Sequence, residues 1–198
     1  MSVGDVRRKG VGEVSTMTKP HGVGPGVLRP CRPDDDGPGT LDPAVARLHH
    51  RLRVEVAARL LASVPGGWEV SAGCCWQPST TSGPLHPDVV VHRTLGRGRR
   101  LLATPVLCVD IGAGPAGLRP GRTYAQLGVD HHWHVDSTHD TLQVSVRVDD
   151  VYRRCESFSA ESLAPGHAAH GLAWVDYGVG IAHLDGLLPA PLTPPRPG

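Results

Sequence analysis

Two aspartates stand beside apolar segments that read as strands. Asp88 precedes the run 89–91 (VVV), and Asp110 ends the run 106–109 (VLCV). Acidic side chains rarely enter buried strands without a partner. If the two segments pair, both carboxylates reach one edge of a sheet, where their mutual repulsion favours a shared cation. Mg²⁺ suits such oxygen donors and can activate water against a phosphodiester. Asp88 and Asp110 are therefore candidate metal ligands, and the competing interpretation makes both of them solvent-facing strand ends.

A histidine cluster offers a different metal chemistry. A strand at this point would place His132 and His134 on one face, and imidazoles at this spacing can bind zinc. Structural or surface histidines are the interpretation that we favour. The glycines of GAGPAG at 112–117 lack the GK[ST] ending of a phosphate loop, and the chain contains no GxSxG nucleophile motif. Nucleotide binding by that loop and serine hydrolase chemistry are therefore not favoured.

The elements that position these residues begin with a helix. Asp42 is a good N-cap and Pro43 is tolerated at the first helical position, so a helix is predicted from there to the Pro-Gly-Gly at 65–67. Glu55, on this helix, is expected to form an ion pair with Arg59 rather than to bind a metal. The predicted apolar stripe consists of Val45, Leu48, Leu52, Val56 and Leu60.

The rest of the chain reads mainly as strands. Strands are predicted over 68–76, 87–92, 101–111, 132–136, 141–148, 151–157 and 172–175, with a short helix over 122–127 closed by Gly128. This order predicts an α+β or α/β fold in which helices flank a mixed β-sheet. Residues 1–40 are predicted to be a disordered leader, residues 41–188 one domain, and residues 189–198 a Pro-rich tail.

Composition limits the classes of function. A net charge of +1 excludes a strong basic field over the whole molecule but allows a local phosphate-binding groove. No apolar run reaches the roughly 18 residues that span a bilayer, so no membrane partner is expected. The five cysteines include no CxxC, and this odd count fits a reducing cytoplasm. The only lysines are Lys9 and Lys19, both in the expected leader.

Four phrases of the sequence resemble the Uma-two family of restriction-endonuclease-like proteins, in the PD-(D/E)xK nuclease superfamily. They are HHRLRVEVAARLLASVPGG at 49–67, PDVVV at 87–91, PVLCVDI at 105–111 and YAQLGVDHHWHVD at 124–136. The resemblance covers roughly residues 45–187 and implies a divergent member with a restriction-endonuclease-like core. By position it implies that Asp88 is a metal-binding aspartate and that Asp110 is the second acidic ligand, where the family usually has glutamate.

The lysine that such nucleases use is missing from this pattern. Gly112 occupies its usual place two residues after the second acid, and Pro120 lies near the alternative place on the next helix. The nearby cations are Arg119 and Arg122. Arginine can steady a phosphate through its planar guanidinium, but it stays protonated and so cannot serve as a base.

Two functions remain open at this stage. The first is a DNA endonuclease that uses Mg²⁺ or Mn²⁺, with Asp88 and Asp110 as metal ligands and with Arg119 or Arg122 at the scissile phosphate. The second is a catalytically inactive relative that binds nucleic acid or protein. DNA is the expected partner in the first case, and a homodimer is one arrangement that we consider. A domain that binds a small molecule or a metal through the histidine cluster is a third, weaker alternative.

Overall fold

The computed structural model describes residues 26–30, 42–78, 83–93, 101–102, 104–112, 119–163 and 174–188. Within these ranges lie two helices and eleven strands. In chain order they are β1 (Gly26–Pro30), α1 (Pro43–Ser63), β2 (Trp68–Ala72), β3 (Cys74–Gln77), β4 (Val89–Arg93), β5 (Leu101–Leu102), β6 (Leu107–Gly112), α2 (Arg119–Gln126), β7 (His131–Asp136), β8 (Thr141–Val148), β9 (Val151–Ser159), β10 (Trp174–Asp176) and β11 (Ile181–His183).

A six-stranded mixed sheet with the order β2-β4-β6-β7-β8-β9 forms the centre of the fold. Strands β6 and β7 are parallel, and the other neighbours are antiparallel. A parallel pair needs a crossover connection, and α2 lies within the connection between β6 and β7. The predicted α+β fold, a mixed sheet with flanking helices, is therefore confirmed.

Helix α1 covers one face of this sheet. It begins as the sequence predicts, because the Asp42 side chain accepts a hydrogen bond of 2.7 Å from the backbone N–H of Ala44. The hairpin of β10 and β11 packs on the same apolar cluster. The buried helix residues are Leu52, Val56 and Leu60, and they pack with the sheet residues Val89, Val91, Leu107, Val109, Ile111, Trp133, Val135, Leu142 and Val144.

The opposite face of the sheet carries α2 and a second, three-stranded sheet of order β3-β1-β5. Because side chains alternate along a strand, residues of β4 and β6 between those facing α1 point here. The cluster on this face comprises Leu28, Cys74, Trp76, Val90, Cys108, Tyr124 and Val129. The central sheet is thus covered on both faces, which explains its continuous apolar strands.

Two predicted strands prove to be two strands each. The segment 68–76 divides into β2 and β3, which lie in different sheets, because Gly73 adopts a φ of +58° that a continuing strand does not. The segment 101–111 divides into β5 and β6, also in different sheets, on either side of Pro105. Proline lacks the N–H that a central strand donates, so the strand restarts after it.

The expected disordered leader is wrong for residues 26–30, which form β1. This strand pairs with β3 and β5, and its Leu28 is only 5% exposed. The ordering comes from partners more than forty residues further along the chain, which local composition does not reveal. Strand β11 was not predicted, and the remainder of the leader and the tail at 189–198 lie outside the described residues. Neither helix of the described part is long and apolar enough to cross a membrane.

Candidate functional site

Asp88 lies directly before β4, and its carboxylate is held mainly from the α1 side. Its Oδ1 accepts a hydrogen bond from Arg53 Nε at 3.0 Å and lies 2.8 Å from Arg53 Nη2. The same oxygen lies 3.1 Å from His49 Nε2. Its Oδ2 accepts the backbone N–H of Ile111 at 2.7 Å. Both oxygens are therefore engaged, and the cation beside them is a guanidinium of the chain itself.

The guanidinium of Arg53 is fixed by further contacts. Its Nη2 lies 3.2 Å from His49 Nδ1, one turn earlier on α1. Gly73 lies on its other side, where an added Cβ would come 3.1 Å from Arg53 Nη1. Glycine at this position therefore serves two purposes: it adopts the positive φ that separates β2 from β3, and it leaves room for the guanidinium.

Asp110 lies on β6, and its carboxylate is held from the α2 side of the sheet. Tyr124, on α2, donates its hydroxyl to Oδ1 at 3.1 Å, and His132 Nε2 lies 3.0 Å from Oδ2. Burial raises the pKa of Tyr124 far above its ordinary value, and the charge of Asp110 raises it further. The phenol therefore stays protonated and acts as the donor to the carboxylate.

His132 is held by ring contacts as well as by Asp110. Its ring packs against Tyr152 at 5.4 Å between centroids, with 26° between the planes, and against Tyr124 at 5.7 Å. The Tyr152 hydroxyl donates to the backbone oxygen of Val129 at 2.9 Å, and burial raises its pKa. The imidazole is only 3% exposed, so two tyrosines and a carboxylate set its orientation.

A cavity of about 450 Å³ opens beside His132. Three of its lining residues are neighbours across the sheet: His132 on β7 pairs with Ser145 on β8, which pairs with Arg154 on β9. Paired residues point to the same face, so these side chains converge. None of the described lining residues carries a carboxylate. They are Gly121, Arg122, His132, Gln143, Ser145, Val151, Tyr152 and Arg154.

The expected metal site does not match this geometry. Asp88 and Asp110 lie at the same end of the β4–β6 pair, but each has its own set of partners. A divalent ion at Asp88 would have to displace Arg53, and one at Asp110 would compete with Tyr124 and His132. Within the described ranges, no group of three or more His, Cys, Asp and Glu side chains could hold a metal ion. The residues as arranged do not fit Mg²⁺ or Mn²⁺, and their role as ligands stays a prediction.

The other candidate residues differ in where they lie and in what they contact. Arg122 lines the cavity, whereas Arg119 is the first residue of α2 and its side chain lies outside the described part. The ion pair between Glu55 and Arg59 is confirmed. The pair of histidines expected to share a strand face lies on β7, but His132 is engaged by Asp110 rather than available to zinc.

Three features of the site were not predicted. The alternation of β7 could have suggested that His132 faces Asp110, once β6 and β7 were known to be neighbours. Arg53 and Arg154 carry no local signal, since each is one arginine among many in the sequence. Their roles depend on which strands and helices pack together.

No family model and no curated protein matches this chain. Among solved structures, it is similar to a putative nuclease belonging to DUF820 from Anabaena variabilis, with 12% sequence identity and a TM-score of 0.42. The match covers 56% of this chain and 66% of that chain, just under two thirds of its length. A likeness at this level does not assign a function, which has to come from the chemistry of the site.

Proposed function

We propose that this protein binds the phosphate backbone of a nucleic acid in the cavity beside His132, without needing a metal ion. The observation that carries the proposal is the convergence of two guanidinium-bearing side chains, Arg122 from α2 and Arg154 from β9, on one cavity of about 450 Å³. No described lining residue brings an opposing carboxylate. An anion is therefore the ligand that this lining favours.

The chemistry of the lining fits a phosphodiester. A guanidinium presents a planar fork of N–H donors that matches two phosphate oxygens. Gln143 and Ser145 add neutral hydrogen-bonding groups on the same face. Tyr152 adds an aromatic ring to the lining, and aromatic rings beside basic groups are how proteins hold unpaired bases. Single-stranded nucleic acid is therefore the expected form of the ligand.

Metal-dependent cleavage of DNA, implied by the resemblance to the Uma-two family, is the competing proposal. Its support is the set of sequence phrases that carry the resemblance. The contacts of Asp88 with Arg53, and of Asp110 with Tyr124 and His132, favour binding over metal chemistry because the carboxylates are already compensated. The missing lysine also favours binding over metal-dependent cleavage.

Fluorescence anisotropy with short labelled single strands of DNA and RNA tests the binding proposal. The full chain is expected to bind in the presence of EDTA, and Arg122→Ala or Arg154→Ala is expected to weaken binding by about tenfold, or roughly 1.4 kcal/mol. Arg153→Ala is the matched control, since Arg153 is exposed on β9 beside Arg154 but does not line the cavity. An equal loss with Arg153→Ala would mean general charge attraction and would contradict a specific site.

The competing proposal has its own measurement. Plasmid nicking that requires Mn²⁺ and disappears in Asp88→Ala would establish the metal-dependent endonuclease. Binding that appears only after Mn²⁺ is added would likewise overturn metal-independent recognition. Isothermal titration of the metal alone against wild type and Asp110→Ala shows directly whether the carboxylates take up an ion.

A further inference from the structure

We infer that the cavity also cleaves RNA, by a metal-independent transesterification in which His132 is the general base. The inference rests on the proposed function, because the strand must first bind in this cavity. It adds a substrate class and a reaction to that binding. The inference is argued from an imidazole whose orientation is set by a carboxylate and which lies beside two guanidinium groups.

The tautomer of His132 follows from its partner. An ionised carboxylate can only accept hydrogen bonds, so the contact of 3.0 Å between Nε2 and Asp110 Oδ2 places the proton of the neutral ring on Nε2. The lone pair is then on Nδ1. Tyr124 holds the other oxygen of Asp110, so the carboxylate cannot turn away. Asp110 is thus a positioning residue for the base.

The absence of a side chain at Gly121 leaves Nδ1 of His132 open towards the cavity. An added Cβ at this residue would lie 3.2 Å from His132 Nδ1 and 3.3 Å from Cε1. Any side chain at this point would therefore cover the nitrogen. Gly121 is also one of the residues that line the cavity, so the edge of the ring that carries the lone pair is the edge that faces the ligand.

RNA is the substrate that such a site can cleave without a metal. The ribose 2′-hydroxyl is already adjacent to the phosphorus, so the nucleophile comes from the substrate and needs only to lose its proton. DNA has no such hydroxyl. The two guanidinium groups would stabilise the negative charge that develops on the phosphate oxygens.

The reaction balances without a co-reactant. Nδ1 of His132 takes the 2′-hydroxyl proton, the O2′–P bond forms, and the P–O5′ bond breaks. The leaving O5′ takes a proton from solvent, and His132 later returns its proton to solvent. The products are one strand ending in a 2′,3′-cyclic phosphate and one beginning with a 5′-hydroxyl.

The test incubates the full chain in EDTA with RNA, with DNA of the same sequence and with 2′-O-methyl RNA. RNA alone is expected to be cleaved, and mass spectrometry should find 2′,3′-cyclic phosphate ends. His132→Gln is expected to lower the rate by about 10² to 10⁴-fold, with anisotropy still reporting binding. Cleavage by Arg153→Ala is expected to persist, because Arg153 does not line the cavity. Cleavage of DNA or of 2′-O-methyl RNA would overturn the mechanism, because neither carries the free 2′-hydroxyl that acts as nucleophile.

Two further variants address access and positioning. Gly121→Ala is expected to fold, because alanine is the better helix former, but to lose cleavage as its methyl group covers Nδ1. Thr123→Ala, at an exposed position on the same helix, is its control and should cleave normally. Asp110→Asn is expected to lower kcat with little change in KM, as befits a residue that orients the base.

The outcomes distinguish this inference from the proposed function. Binding of RNA without cleavage would contradict the inferred cleavage reaction and would leave the binding proposal intact. Failure to bind any strand would contradict both the binding proposal and the inferred cleavage. Equal cleavage by wild type and by His132→Gln purified in parallel would identify a contaminating ribonuclease and also overturn the inference.

Discussion

The contact between Asp88 and Arg53 shows how one side chain limits the chemistry open to another. A carboxylate that is 11% exposed is costly unless it is paired. Arginine keeps its charge under all ordinary conditions, and the Ile111 N–H and His49 complete the environment of the carboxylate. Asp88 therefore needs no metal ion to be stable in the folded protein.

Removing the cation alone should be costly. Arg53→Met is expected to lower the free energy of unfolding by about 3 kcal/mol, because it leaves a largely buried carboxylate without its guanidinium partner. Urea denaturation followed by circular dichroism measures the change. Arg51→Met is the control, since Arg51 is exposed on the same helix and should change stability by less than about 0.5 kcal/mol.

A double-mutant cycle shows whether this loss of stability comes from the interaction between Arg53 and Asp88. Adding Asp88→Asn to Arg53→Met removes the unpaired charge and should recover part of the stability, so that the two losses are less than additive. Strictly additive losses would mean that the two side chains do not stabilise each other.

At the residue scale, the sequence predicts that each aspartate needs a partner but not which one. Asp88 and Asp110 were singled out because acidic side chains are rare in apolar strands, and both are indeed engaged. Their partners are 35 and 22 residues away along the chain, on two elements, α1 and β7, whose packing no local pattern reports. A shared metal ion was the simplest partner that the sequence alone could offer.

At the scale of elements, periodicity and capping were reliable where a segment is long. Helix α1 and strands β4, β7 and β8 lie close to their predicted bounds, because their apolar residues follow a period of 3.6 or form a buried run. Strand β1 and the division of 68–76 were missed. Both depend on the second sheet, in which short strands distant in sequence pair with one another.

The role of β1 in the fold can be measured with two neighbouring residues. Leu28→Ala is expected to lower the free energy of unfolding by about 2 to 3 kcal/mol, because Leu28 is 5% exposed and its loss leaves a cavity beside Trp76. Val27→Ala, at a position that is 46% exposed, should change it by less than about 0.5 kcal/mol. Equal, small effects from both would show that β1 does not contribute to the stable core.

At the scale of the whole molecule, the two faces of the central sheet differ in polarity and in the elements that cover them. One face is apolar and covered by α1 and the hairpin of β10 and β11. The other carries Asp110, His132 and the cavity, with α2 above it. With a net charge of +1 the molecule has little general attraction for a polyanion, so affinity has to come from the local cations of this second face.

The salt dependence of binding measures how local that attraction is. With Arg122 and Arg154 as the phosphate contacts, the slope of log K against log salt concentration for a single strand should be about −1.4, or −0.7 for each contact. Arg154→Ala should reduce it to about −0.7, whereas Arg153→Ala should leave it unchanged. A slope much steeper than about −4 would mean that many further cations contact the strand, which an extended surface could provide but the cavity beside His132 could not.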